Sequence, residues 1–531
     1  MYAREDQNFF QNIYTLFSGN LVSTLISTIG TILIINLVTT DEYALINISY
    51  IFPTILILVS ELGLNYACTY YIARFKRENN PQAIRDVVKI NLSIKLILGI
   101  VFTILVITFS NFISEIIFNV DDSRLAILIS ISSIGIIGII LFDAINSIFI
   151  GYEYMKLFRI TSILRKLIDT TLALLLVILG FRLIGPVLGF VLGPLVISII
   201  NLIILKKKIS INSDEKKSIN WNYLSKMMKY GYPLSLVSLI MGIQTQIYSY
   251  IFIYFGFIDV VSFFYASTVS SKLVIILTQS ISFTLFPTFS KYDWRSLEDR
   301  EKIEKYFRFS IKLSNFLVLP IVIFLIIFSE DFFPLIYGFN YLSAAPYISL
   351  YFFNYLFVSF GSISIPALFL GQKKTKYVLY IELIKLAGGI IFSIILLNFL
   401  NSIGIMIGIF IGSILGTIIG NIFIIFKLDK RLFDYFKMNL VSFFMNIILG
   451  SLIFLIKMIF VNIKSIYFNL LIDLVLILIY LIILSLVSFY FNIINEKELE
   501  AINNHFAFIP VINKIINFIS KIQKKMLSLR K

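Results

Sequence analysis

The chain has 531 residues, is 59% apolar and only 14% charged, and its 45 Lys and Arg against 30 Asp and Glu leave a formal charge of +15. No aqueous fold hides that much apolar surface, so lipid must solvate it while the backbone closes its own hydrogen bonds in helices or a barrel. One cysteine, Cys68, and one histidine, His505, exclude an intramolecular disulfide framework and argue against zinc, haem or Cys-His chemistry, so no cofactor is expected.

The apolar runs last about 20 residues or more without alternation, which selects helices. The first, Ile13 to Val38, is too long for a signal-peptide core and lacks a small-residue cleavage site. Spans follow near 13–38, 43–72, 90–109, 125–150, 157–180, 184–205, 229–255, 260–288, 308–328, 345–370, 376–398, 402–426, 438–461 and 466–491, about 14 in all. Lys and Arg crowd alternate connections: 73–89, 206–229 and 290–308 are strongly basic, whereas Thr39–Glu42, Gly256–Asp259, Ser329–Ala344 and Asn398–Ile403 carry none. Positive charge stays on the cytoplasmic side during insertion, so both termini are expected inside a plasma membrane. The net charge then reflects topology and anionic membrane lipid as a partner, with no nucleic acid.

One stretch occurs twice. Gly151–Lys206 and Gly371–Lys427 are each a pair of apolar runs joined by a polar turn, with Gly151, Lys156 and Arg165 answering to Gly371, Lys376 and Lys385. A glycine ladder follows, Gly185, Gly189 and Gly193 against Gly404, Gly408 and Gly412, which reads as close helix packing or hinge points. Ser93-Ile94-Lys95-Leu96 also returns as Ser310-Ile311-Lys312-Leu313. The pattern predicts an all-α polytopic membrane protein of two six-helix lobes in a parallel repeat, 1–205 and 230–427. A basic amphipathic cytoplasmic linker at 206–229 joins the lobes, with a short interfacial helix around Trp221, Tyr223, Leu224 and Met227. Two further spans occupy 428–491, and 492–531 is a basic amphipathic tail that docks on the inner leaflet or on an assembly partner.

Asp41-Glu42-Tyr43, Glu61-Leu62-Gly63-Leu64, Arg74, Leu285-Phe286-Pro287-Thr288-Phe289-Ser290 and the Gly-Gln-Lys-Lys turn at 371–374, in that order across the spans, carry a resemblance. The chain resembles the polysaccharide flippase (Wzx-like) branch of the MOP superfamily, over roughly residues 10–430. That resemblance implies a V-shaped, MATE-like core and a polyprenyl- or dolichyl-linked oligosaccharide as substrate. This substrate would be flipped to the outer leaflet for surface polysaccharide or glycoprotein assembly. It also implies a monomer working beside glycosyltransferases or a polymerase.

A phosphate-bearing glycolipid needs cations and hydrogen-bonding groups in the cleft, and each charge in a span costs roughly 2.5–3.5 kcal/mol. Lys272, mid-way along the eighth span, is the leading anion-binding candidate. Arg165 and Lys385 follow, although Asp169 and Glu382 offer each an ion pair within its own helix. Asn20, with Ser23, Thr24, Ser27 and Thr31, and Gln244 with Gln246 could contact sugar or simply join helices. Glu61 and Asp143 are the deepest carboxylates and the ion-coupling candidates. Lys95 and Lys312 read as lysines reaching the interface. The alternative is a MATE-type multidrug or cation exporter, which would want an acidic cleft. A membrane glycosyltransferase or polymerase is disfavoured, because the outer acidic pairs Asp121-Asp122 and Glu330-Asp331 read as solvated loop acids.

Overall fold

A computed structural model describes residues 2–120, 122–208, 219–294, 296–428, 435–460 and 466–490; the expected tail at 492–531 and residues 209–218 of the linker lie outside them. The described residues are helical, with no strand. The N-terminal helix α1 (Tyr2–Leu37) is followed by α2 (Thr40–Ser49), α3 (Ile51–Ser60) and α4 (Leu64–Arg77), three pieces of one bent span. Next come α5 (Pro81–Thr108), a single turn α6 (Ser110–Phe112), α7 (Ser123–Gly151), α8 (Met155–Ile178) and α9 (Ile184–Lys208). The second half holds α10 (Asn222–Tyr254), α11 (Ile258–Lys291), α12 (Leu297–Ile327), α13 (Ser329–Tyr337), α14 (Ala345–Phe353) and α15 (Ser364–Gly371). It ends with α16 (Thr375–Lys427), α17 (Tyr435–Phe460) and α18 (Ile466–Tyr490).

Among the described residues ten helices are long and apolar enough to cross a membrane, or eleven if the bent pair ending in α15 is one span. Three features separate eleven from the expected fourteen. First, α8 has the length, but Arg165, Lys166 and Asp169 crowd its middle. Second, α16 runs 53 residues as one element, although Asn401 (φ 50°, ψ −141°) breaks it where two expected spans meet. Third, α18 offers only the shorter apolar stretch Ile472–Leu484 among the described residues. The lipid-facing surface is legible in α5, where Ile97, Val101 and Ile104 are exposed at helical spacing. In water such a stripe would be polar.

Two compact units contain these helices. One comprises Met1–Lys272, Tyr337–Ala344 and Ile390–Ile405; the other comprises Leu273–Ile336, Ala345–Gly389 and Met406–Lys531. The first has a core of Ala67, Cys68, Ile72, Val87, Val88, Ile145, Ile148 and Phe149 from α4, α5 and α7. The short interfacial helix expected near Trp221 is not a separate element. Residues 222–229 are the first turns of the 33-residue α10, and Met227 joins that core instead of lying on a surface.

In the second unit the Gly371–Lys374 turn has a structural task. The Gln372 side chain donates to the Phe289 carbonyl (2.6 Å) and the Tyr292 carbonyl (2.9 Å), and it accepts from the Trp294 amide (3.1 Å). Asp331 departs from its reading as a solvated loop acid. Its carboxylate pairs with Lys457 of α17, and Asp473 of α18 is buried beside the two. Lys457 also donates to the Ile327 carbonyl at 3.2 Å and lies 4.9 Å from the Phe328 ring centre, which ties the C-terminal helices to α12 and α13.

Candidate functional site

The site begins with the breaks in the second span. Thr39 and Glu42 form a capping box that starts α2. Pro53 has no N–H to give to the Ser49 carbonyl, and the Ser132 hydroxyl of α7 donates to it instead at 2.8 Å. The second break falls at Glu61-Leu62-Gly63, where Leu62 (φ 41°) and Gly63 (φ 75°) are left-handed. The last carbonyls of α3 thus lose their partners, at the end of the helix that carries negative partial charge.

A lysine fills that end. Lys95 of α5 is 0% exposed, and its Nζ donates to the Ser60 carbonyl at 2.9 Å and lies 3.5 Å from Glu61 Oε1. Asn65, one turn beyond Glu61, donates to both carboxylate oxygens at 2.9 and 3.0 Å. The expectation that Lys95 reaches the interface is therefore wrong. Its four methylenes run inward, toward a carbonyl and a carboxylate that a broken helix leaves together. Lys312, in the repeated tetrapeptide, is only partly buried.

A second group lies on α8. Arg165 has Asp143 of α7 and Asp169 of its own helix each at 3.9 Å, and its guanidinium lies 4.6 Å from the Phe142 ring centre. Lys166 lies 3.2 Å from Asp169. Neither Arg165 pair reaches hydrogen-bonding length, so the guanidinium keeps unused donors among the described residues. Gly189 and Gly193 bring α9 against this point. A Cβ on Gly193 would stand 1.6 Å from Asp169 Oδ1.

Lys272 of α11 is partly buried and within electrostatic reach of Lys166. No carboxylate lies within ion-pair distance of it among the described residues. One compact unit thus gathers four cations (Lys95, Arg165, Lys166, Lys272) and three carboxylates (Glu61, Asp143, Asp169) on spans of apolar residues. If all are ionised the group carries one positive charge in excess. Such an arrangement favours an anion, with carboxylates present to weaken the hold and permit release.

The remaining candidates divide. Gln246 is buried and accepts from the Tyr265 hydroxyl at 3.2 Å; Gln244 and Asn20 are partly buried. Thr24, Ser27 and Thr31 donate to carbonyls of their own helix, the one from Thr24 going to Asn20. Lys385 belongs to the other unit, 3.8 Å from Glu382. Sequence reasoning missed Lys166 altogether and misjudged Lys95. The available signal was the cost of a charge in an apolar span, which demands a partner, and Glu61 was the acid without one.

A family model described as "Polysaccharide biosynthesis protein" matches residues 9–293, or 285 of 531. No curated protein matches the chain. Among solved structures, the lipid II flippase MurJ in an inward closed conformation superposes with a TM-score of 0.70 at 16% identity, covering 90% of this chain and 98% of that one. An inward-facing multidrug resistance MATE family transporter of the MOP superfamily gives 0.61 at 18% identity, covering 78% and 96%. A MOP superfamily transporter from Pyrococcus furiosus gives 0.56 at 19% identity, covering 78% and 95%. At these identities the likeness is one of fold: the all-helical, MOP/MATE-like fold of a multi-pass membrane protein.

Proposed function

The chain belongs to the polysaccharide biosynthesis protein family, and from that premise we propose that it flips a polyprenyl- or dolichyl-linked oligosaccharide across the cytoplasmic membrane by alternating access. Fourteen spans, in two six-helix halves with two helices added, hold a cleft that opens to either side, and both termini are cytoplasmic. The (pyro)phosphate of the carrier enters the cleft while its tail stays in lipid. Lys272 and Arg165 attract it; Lys385 is the repeat-related cation of the second half. Asn20, Gln244 and Gln246 meet sugar hydroxyls. Asp143, the more open of the two deep carboxylates, competes for Arg165 and releases the phosphate.

The observation that carries this reading is the charge balance: four cations against three carboxylates, with Lys272 lacking an acid within ion-pair distance among the described residues. A drug-cation exporter on the same fold would need the opposite sign. In proteoliposomes holding labelled lipid-linked sugar, Lys272→Ala should slow flipping about tenfold or more, the worth of one charge-assisted contact, and Lys272→Arg should restore most of it. Full activity in Lys272→Ala removes the site assignment. Competition by drug cations, with no transport of the glycolipid, would transfer the protein to the exporter class.

A further inference from the structure

Where a membrane helix breaks, its freed carbonyls and a nearby carboxylate form the kind of place that holds a coupling cation. The break at Glu61-Leu62-Gly63 has both parts. Its Ser60 carbonyl and Glu61 Oε1 converge on one point, and Asn65 fixes the carboxylate from the next turn. That point is occupied from within the chain by Lys95 Nζ, 2.9 Å from one oxygen and 3.5 Å from the other, on a side chain with no exposure. Asp143 acts on the same ammonium from α7, and Asn91 stands one turn before it on α5, donating to Ser147 at 3.3 Å.

We propose that the break in the second span is a monovalent-cation site whose resident ion is the tethered ammonium of Lys95. The protein then needs no alkali ion at this position. Shortening the side chain should turn the position into a site for one. Lys95→Ala removes the charge and leaves the length of a lysine chain empty. An alkali cation can enter that space with water completing its shell, because Ser60 and Glu61 are already aimed at it. The inference does not depend on what the protein carries.

The test is thermal unfolding of the full-length protein in detergent, in sodium, lithium, potassium or choline chloride at equal ionic strength. The native protein should unfold at the same temperature in all four. Lys95→Ala should unfold at a lower temperature in choline and recover, saturably, in sodium or lithium. Adding Glu61→Gln to Lys95→Ala should abolish the recovery. Lys95→Met, which fills the space without charge, should ignore the salt. The proposal is overturned if Lys95→Ala behaves alike in all four salts or folds in none, or if the native protein is stabilised by sodium as strongly as the variant. None of these readings involves glycolipid transport, so failure here leaves the proposed function standing, and failure there leaves this site standing.

Discussion

A lysine on a membrane helix avoids the bilayer interior in one of two ways: it stretches to the interface or it turns inward to a partner. Helical position does not decide between them, and Lys95 takes the second course because a broken helix nearby offers it a carbonyl and an acid. The same rule governs Lys457, whose partner Asp331 stands at the start of a neighbouring helix. Arg165 serves two acids at once, and losing it leaves Asp169 with Lys166 and Asp143 with no ion pair among the described residues, only the more distant Lys95 and Lys166. Arg165→Ala should cost about 3 kcal/mol, the low end for a broken buried pair because Asp143 is 38% exposed. The measurement is the unfolding midpoint in detergent, and Arg165→Lys should recover part of the loss. An unchanged midpoint would mean that the two 3.9 Å pairs contribute nothing to the fold.

Helices here are organised by their interruptions and their glycines. Gly63 and Gly231 meet at the crossing of α4 and α10, where a Cβ on Gly63 would stand 2.0 Å from the Gly231 carbonyl carbon. Tyr66 and Ser238 (2.8 Å), and the stacked rings of Tyr70 and Tyr230 (4.3 Å), extend the same contact. In the hairpin of α8 and α9, Gly193 lies on Asp169. Within α16, Gly412 lies on Gly389, which stands 220 residues after Asp169 (389 − 169). Gly193→Leu should therefore cost at least 1–3 kcal/mol by overpacking and lower the yield of folded protein from detergent. Gly256 has a left-handed backbone (φ 81°) and open space around it, so Gly256→Asn should stay within about 1 kcal/mol of the native stability. Equal behaviour of the two variants would contradict close packing as the purpose of Gly193.

Across the whole molecule, the proposed topology rests on where the lysines and arginines fall. In the proposed topology, with both termini cytoplasmic, Gln82→Cys would lie on the cytoplasmic side and Asp259→Cys on the outer side; both positions are exposed. An impermeant maleimide added to intact cells should label the second and spare the first, while native Cys68, wholly buried, stays unlabelled. The reverse pattern would overturn the proposed orientation.

The sequence by itself determined the class of molecule, because hydrophobic length and uncharged runs are properties of the chain that no packing can change. It also carried the family, the break near Asn401 within α16, and the pairing of Arg165 with Asp169, since residues four apart on a helix are always neighbours. Only tertiary structure decided the partners of Lys95, Asp143 and Asp331. Each depends on which helices lie side by side and on which carbonyls a break sets free. Asn65 and Glu61 could be linked from their spacing, but Lys95, 34 residues beyond Glu61 (95 − 61), could be joined to them only by the folding of α5 across the break. Local periodicity reports the face of a residue; the neighbour on that face comes from the fold.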